Sequence, residues 1–138
     1  MSELTPLEVA DSIAVVTGGA NGIGRGIVRG LLEAGATVVV ADIEQDVLDT
    51  TVAALSASHP GRITGVVTNV IDDASTDALA DHVYATHGRC NLLFNNAGVG
   101  SGGGGMAWAK ILEESDVLAQ FVLKLLEVVD ASKCDFDA

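Results

Sequence analysis

Hydrophobic residues are concentrated in four short runs along the first part of the chain. Each run is rich in valine, isoleucine, leucine or threonine, and none alternates regularly between apolar and polar positions. Continuous apolar runs of this length are typical of strands in a parallel sheet whose two faces are both covered. We therefore predict four strands, at Ile13–Thr17, Thr37–Ala41, Ile63–Thr68 and Leu92–Asn95.

Segments with a helical spacing of apolar residues separate these strands. The first has its apolar residues at 23, 27, 31 and 32 and stops at Gly35, a residue suited to end a helix. The second repeats this spacing at 47, 48, 52 and 55, and the third covers Ala74–Thr86. Strand and helix thus alternate, which predicts right-handed crossovers and a doubly wound α/β fold.

Beyond residue 95 the pattern changes. Four consecutive glycines at 102–105 are typical of a flexible loop, and residues 113–129 then show the spacing of an amphipathic helix. The apolar face of this tail helix would comprise Leu118, Phe121, Val122, Leu125, Leu126 and Val129. Because such a face needs an apolar surface to cover, we expect it to pack on the sheet or on a partner chain.

Length and charge narrow the possible functions. The 138 residues suffice for one ordinary domain, and 19 acidic against 7 basic residues give a formal charge of −12. This excess disfavours binding to nucleic acids or to anionic membrane surfaces. No segment predicts a membrane span or a signal peptide, so we expect a cytoplasmic protein. Cys90 and Cys134 match no disulfide framework, and no metal-ligand spacing is present, so no metal is expected.

The first predicted strand leads directly into a glycine-rich segment, residues 17–24 (TGGANGIG). Glycines at 18, 22 and 24 allow a sharp turn and a close approach of the backbone to a ligand. The helix that follows would offer free N–H groups and its positive dipole end to a pyrophosphate. A P-loop is excluded because Arg25 and Gly26 stand where Lys and Ser or Thr are required. A purely structural strand–helix turn remains an alternative.

The second strand is followed by an acidic side chain, Asp42. A carboxylate at this position can accept hydrogen bonds from a ribose 2′,3′-diol and would repel a 2′-phosphate. Neither Asn21 nor Ile43 supplies the positive charge that NADP would require, so the residues favour NAD over NADP. Alternatively, Asp42 serves as the N-cap of a helix predicted at Glu44–Ser58.

In these motifs the chain resembles the short-chain dehydrogenase/reductase family. The resemblance also rests on Asn69 and Val70 after the third strand and on residues 95–98 (NNAG) after the fourth. It implies an oxidoreductase that transfers hydride between NAD(P) and an alcohol/carbonyl pair, on a Rossmann-type parallel sheet of order 3-2-1-4 with flanking helices.

The resemblance further implies a set of cofactor-binding residues. These are Gly18, Asn21, Gly22, Ile23 and Gly24 at the pyrophosphate; Asp42 at the adenosine ribose; Asn69 and Val70 at the adenine; and Asn95, Asn96, Ala97 and Gly98, which would brace the sheet beneath the cofactor. The family usually has Asp where Asn69 stands, but the carbonyl oxygen of Asn69 can still meet the adenine amino group.

The likeness covers residues 8–100. We predict one NAD(P)-binding domain over 1–138, with a glycine loop and a divergent tail helix at 101–138 and a sheet truncated after its fourth strand. The family's Ser and Tyr-x-x-x-Lys have no counterpart, because the single tyrosine, Tyr84, is followed four positions later by Gly88. We therefore expect a cofactor-binding half without catalytic residues.

Two alternatives remain open at this point. The chain could be a non-catalytic NAD-binding or regulatory module that joins a family member, or a second copy of itself, through the tail helix. It could also be a truncated fragment without a function of its own.

Overall fold

Strands and helices alternate strictly in the computed structural model, which describes residues 9–98. The elements are β1 (Ile13–Thr17), α1 (Gly22–Glu33), β2 (Thr37–Asp42), α2 (Gln45–Ser56), β3 (Ile63–Val67), α3 (Asp73–His87) and β4 (Leu92–Asn95). Every element predicted in this range is present, with bounds shifted by at most one or two residues. The predicted loop with four glycines at 102–105 and the predicted tail helix lie outside the described residues.

Local hydrogen bonds explain where α3 begins and ends. Asp72 precedes the helix, and its carboxylate accepts the N–H of Ala74 at 3.1 Å, so the helix starts one residue before the predicted Ala74. At the other end, Gly88 adopts a left-handed conformation and donates its N–H to the carbonyl of Tyr84 at 2.9 Å.

The four strands form one parallel sheet in the order β3-β2-β1-β4, which confirms the predicted fold class and strand order. Thr17 is in register with Ala41 on one side and with Asn95 on the other, and Asp42 is in register with Val67. Because all strands run in the same direction, the segments that follow them converge at one edge of the sheet.

Helices cover both faces of this sheet. On one face, β1 and β2 residues such as Val16 and Val40 form a buried cluster with side chains of α1 and α2, including Val28, Leu32 and Leu48. On the other face, Ile13, Val15, Val39 and Ala41 pack against Leu79 and Val83 of α3. This two-sided burial is the reason for the uninterrupted apolar runs of the central strands.

The described residues leave β4 paired on one side only, with β1. β4 is therefore an edge strand within residues 9–98, and the predicted truncation of the sheet after β4 stays a prediction. Over the same residues, no helix combines the length and the apolar character needed to cross a membrane. The described part of the chain also holds no cluster of three or more potential metal-ligating side chains.

His87, at the end of α3, is a titratable residue through which the stability of the fold depends on pH. Burial lowers the pKa of His87, and nearby His82 lowers it further. The Nε2 atom of His87 is buried and has no hydrogen-bond partner among the described residues. Protonation would therefore place a charge on a desolvated nitrogen without an acceptor.

We expect the contribution of His87 to stability to be complete above the unfolded-state pKa of about 6.5 and to be lost as the pH falls below it, because the unfolded chain then binds the proton more readily. The His87→Gln variant should consequently lose less thermal stability than the wild type between neutral and mildly acidic pH. Thermal unfolding followed by circular dichroism measures this, with His59→Gln as a control for the loss of an imidazole. Identical pH dependence in the wild type and His87→Gln would contradict the prediction.

Candidate functional site

A cleft of about 480 Å³ opens at the edge where the four strands end. Segments after each strand contribute to its walls: Gly18, Asn21, Gly22, Ile23 and Gly24 after β1; Ala41, Asp42 and Ile43 at the end of β2; Thr68, Asn69, Val70 and Ile71 after β3; and Asn96, Ala97 and Gly98 after β4. The structure thus brings together all the predicted site residues except Asn95. That residue ends β4, is exposed and does not line the cleft.

From here on, the name glycine loop refers to residues 18–21, which connect β1 to α1, and not to the four glycines at 102–105. Its first residue, Gly18, has a φ of +64° and donates its N–H to the carbonyl of Ala41 at 2.7 Å. Gly24 in the first turn of α1 packs directly on this residue, since a Cβ atom there would overlap the Gly18 carbonyl and lie 2.5 Å from Nδ2 of Asn96. The start of α1 can occupy this position only with glycine at residue 24.

The N-terminus of α1 faces the cleft with its backbone largely uncovered. The N-cap residue, Asn21, makes no side-chain capping hydrogen bond, and Arg25 is the first residue whose N–H bonds back to it, at 3.1 Å. A Cβ atom on Gly22 would meet no atom within 4 Å. The N–H groups of the first helical turn and the space in front of Gly22 are consequently available to a ligand.

Asn96 joins the segment after β4 to the glycine loop. Its Nδ2 donates to the carbonyl oxygens of Thr17 at 3.3 Å and of Gly18 at 3.1 Å. The hydroxyl of Thr17 in turn accepts the N–H of Ala97 at 3.1 Å and donates to the carbonyl of Phe94 at 3.3 Å. These bonds hold the ends of β1 and β4 in one arrangement and satisfy backbone groups that the sheet leaves unpaired.

Asp42 is the one ionisable side chain among the described residues that line the cleft. It is only 9% exposed, and its Oδ2 accepts the N–H of Ala20 while its Oδ1 accepts that of Glu44, both at 3.1 Å. Each oxygen keeps a further lone pair for a ligand. The N-cap alternative for Asp42 is not what is found: α2 starts at Gln45 and Glu44 is its N-cap, so Asp42 supports the helix start from outside it.

Asn69 is held in a compact turn after β3. Its backbone N–H donates to the hydroxyl of Ser75 at 2.9 Å, and its Oδ1 accepts the N–H of Ile71 at 3.2 Å. Oδ1 of Asn69, which the family resemblance predicts to meet the adenine amino group, therefore already has one partner and retains one lone pair. The turn also fixes the position of Val70 on the wall of the cleft.

Large apolar side chains form the exposed rim of the cleft. Ile23 is 80% exposed, and Ile43 and Ile71 are also more than half exposed. Exposed aliphatic groups around a concave polar site are typical of a surface that a ligand covers.

Several residues at the site were missed by sequence analysis. Ala41, Ile43, Thr68 and Ile71 line the cleft, and each stands at or just beyond a strand end, where parallel sheets bind ligands. Their positions along the chain could have identified them. Thr51 of α2 is buried and donates its hydroxyl to the carbonyl of Ala20 at 2.6 Å, and no pattern in the sequence indicated this contact.

Comparison with known proteins identifies the family. The sequence model of the short chain dehydrogenase family matches residues 12–132, which is most of the chain. The chain therefore belongs to the short-chain dehydrogenase family of oxidoreductases with a Rossmann-type fold. The match continues beyond residue 100; the predicted change to a divergent segment at that position stays a prediction.

Individual relatives extend this result. The chain is 39% identical over 108 residues to 1-deoxy-11-beta-hydroxypentalenate dehydrogenase of Streptomyces avermitilis, covering 78% of this chain and 40% of that protein. It is 43% identical over 90 residues to fluoren-9-ol dehydrogenase of a Terrabacter species, covering 65% of this chain and 25% of that enzyme. The chain thus spans less than half the length of these relatives.

Solved structures of similar proteins superimpose on this chain. A short-chain dehydrogenase/reductase from Burkholderia phymatum in complex with NAD superimposes with a TM-score of 0.77 at 30% identity, covering 89% of this chain and 45% of that one. L-sorbose reductase from Gluconobacter frateurii, complexed with NADPH and L-sorbose, superimposes with a TM-score of 0.75 at 28% identity, covering 89% and 48%.

The contact between Gly24 and the glycine loop yields a direct test. We expect Gly24→Ala to lower the free energy of unfolding by about 1–3 kcal/mol, because its methyl group would overlap the carbonyl of Gly18. Gly26 is two residues further along the same helix, and a Cβ atom there would meet nothing within 4 Å. The matched control Gly26→Ala should therefore be neutral or stabilise by up to about 1 kcal/mol. Denaturant unfolding measures both, and equal effects of the two substitutions would contradict the assigned contact.

Proposed function

We propose that the cleft binds a nicotinamide dinucleotide and that NAD is preferred over NADP. The observation that carries this proposal is the buried carboxylate of Asp42, held by two backbone N–H groups at the wall of a cleft whose described lining contains no positive charge. A 2′-phosphate beside this carboxylate would meet repulsion without a compensating cation. A ribose diol would instead donate hydrogen bonds to its free lone pairs.

The remaining contacts in the proposed site follow from the position of each segment. The pyrophosphate would lie against the first turn of α1, where Gly22 leaves open space and the N–H groups of Gly22, Ile23 and Gly24 carry the positive end of the helix dipole. Asn21 would border this position. The pyrophosphate would be bound through backbone dipoles, since no Lys or Arg is among the described residues that line the cleft.

The adenine would occupy the part of the cleft lined by Asn69 and Val70, with Ile43 and Ile71 as apolar neighbours. Asn69 would accept a hydrogen bond from the adenine amino group through the lone pair left free by Ile71. Beneath the cofactor, Asn96, Ala97 and Gly98 would form the floor, while Asn95 would act only through its place at the end of β4.

We further propose that the whole protein is an alcohol/carbonyl oxidoreductase. A bound nicotinamide dinucleotide supplies or accepts the hydride in such a reaction, and the protein must provide a proton donor beside the carbonyl oxygen. The one tyrosine among the 138 residues, Tyr84, lies on α3 away from the cleft and is followed four positions later by Gly88. These 138 residues would therefore bind the cofactor without supplying the catalytic Ser, Tyr and Lys.

A second candidate function is a non-catalytic dinucleotide-binding or regulatory module that joins a partner chain. The predicted tail helix favours it, because its apolar face needs an apolar surface to cover. The partner would be a family member or a second copy of this chain, with the predicted tail helix as the contact.

A cytoplasmic location remains a prediction from sequence, as does the single-domain assignment.

Titration calorimetry with NAD and NADP tests the cofactor assignment. We expect NAD to bind at least about tenfold more tightly than NADP, and Asp42→Ala to reduce this ratio because it removes a charged acceptor worth about 1.5–3 kcal/mol. Asp49→Ala, on the exposed side of α2, changes the net charge equally and should preserve the ratio. Equal affinity of the wild type for both cofactors would contradict the assigned role of Asp42.

Turnover by the 138-residue chain is tested separately. With NAD and a panel of secondary alcohols, we expect no detectable formation of reduced nicotinamide by absorbance, because the 138 residues contain no Tyr-x-x-x-Lys pair to supply a proton to the substrate carbonyl. A full-length relative assayed with the same panel serves as the positive control. NAD-dependent turnover by this chain would show that another residue supplies the proton.

A further inference from the structure

Thr51 is a buried polar residue of α2 that does not line the cleft but is connected to it. It is 1% exposed, and its hydroxyl donates to the carbonyl of Ala20 in the glycine loop at 2.6 Å. We infer that Thr51 is a positioning residue for cofactor selectivity: it fixes Ala20, which in turn orients the carboxylate of Asp42. This inference rests on the proposed dinucleotide site and names a determinant of its selectivity.

Ala20 is the link between the two side chains. Its carbonyl accepts the hydroxyl of Thr51, and its N–H donates to Oδ2 of Asp42 at 3.1 Å. Ala20 is completely buried, so neither group can turn to water if its partner is removed. Because buried backbone groups that lose a partner are costly, the two hydrogen bonds favour a single position of this residue.

The hydroxyl of Thr51 acts differently from that of its neighbour. Thr50 donates to the carbonyl of Asp46 one turn earlier in α2 at 2.8 Å, the usual local bond of a threonine in a helix. Thr51 instead reaches a residue 31 positions away along the chain. α2 contributes no residue to the cleft lining, so this bond is a direct link between that helix and the glycine loop.

The two oxygens of Asp42 accept N–H groups from two different segments, and these two contacts together fix the orientation of the carboxylate. Glu44 holds Oδ1 through a neighbouring peptide group, whereas Ala20 holds Oδ2 from across the loop. Loss of the Ala20 contact would allow the carboxylate to rotate away from the position in which it accepts a ribose diol and repels a 2′-phosphate. Selectivity for NAD over NADP would then fall while the net charge of the site stays the same.

Three variants separate the hydroxyl of Thr51 from its packing. Thr51→Val keeps the volume and removes the hydroxyl, Thr51→Ser keeps the hydroxyl and removes the methyl group, and Thr50→Val removes a hydroxyl from the exposed side of the same helix. Calorimetry measures the ratio of NADP to NAD dissociation constants for each. Amide hydrogen exchange of Ala20 in the ligand-free protein, with Val39 in the middle of β2 as the reference for global opening, measures the link itself.

We expect Thr51→Val to reduce the selectivity ratio by about threefold or more and to accelerate the exchange of Ala20 by about tenfold relative to Val39. Thr51→Ser and Thr50→Val should keep wild-type selectivity. If Thr51→Ser loses as much selectivity as Thr51→Val, packing rather than the hydroxyl is responsible and the inference is overturned. Unchanged selectivity and exchange in Thr51→Val would overturn it as well.

The two readouts distinguish failure of this inference from failure of the proposed function. A wild-type chain that binds neither dinucleotide would overturn the proposed function together with the selectivity role of Thr51. If the wild-type chain prefers NAD and the Thr51→Val variant has the same ratio of NADP to NAD dissociation constants as the wild type, the role of Thr51 is overturned and the proposed function stands. The hydrogen exchange of Ala20 needs no cofactor and decides in either case whether the hydroxyl holds the loop.

Discussion

The first turn of α1 lies directly on the backbone of the glycine loop, with no side chain between them. Gly24 makes this possible, because a Cβ atom there would collide with the carbonyl of Gly18 and crowd the amide of Asn96. The close approach brings the helix N-terminus to the edge of the sheet, where its N–H groups face the cleft. A larger residue would move the helix start outward and separate it from Asp42 on the neighbouring strand.

Hydrogen bonds between the strand ends then give the cleft a defined shape before any ligand is present. Asn96 holds the loop after β4 against Gly18, Asp42 holds the glycine loop against β2, and Thr51 holds the same loop against α2. Each bond satisfies a backbone group of the glycine loop, which lies beyond the end of β1, where the sheet can no longer pair it. Groups positioned in this way need little ordering on binding, which favours affinity and selectivity.

Most of the fold could be predicted because its signals are local. The apolar runs and the helical spacing gave the strands and helices to within one or two residues, since both periods arise from backbone geometry. Part of the candidate site was predictable for a related reason: the glycine-rich segment and Asp42 follow neighbouring strands and therefore meet at one edge of the sheet. Asn69, Val70 and residues 95–98 were instead assigned through the resemblance to the family. The N-cap alternative for Asp42 was not found, because α2 begins three residues later and a backbone N–H of Glu44 occupies Oδ1.

The pattern of residues along the chain was enough to predict the element order, the covering of both sheet faces and the approach of the glycine-rich segment to Asp42, because each of these depends on neighbours within a few positions. It did not indicate that Ala41, Ile43, Thr68 and Ile71 line the cleft. The roles of the individual side chains at the cleft follow from the folded chain alone. Whether Asn96 braces the loop, whether Oδ1 of Asn69 is already engaged and whether Thr51 reaches Ala20 depend on contacts between segments far apart in the chain. Such contacts leave no periodic signal, since a hydroxyl or an amide can bond in many directions and only packing selects one of them.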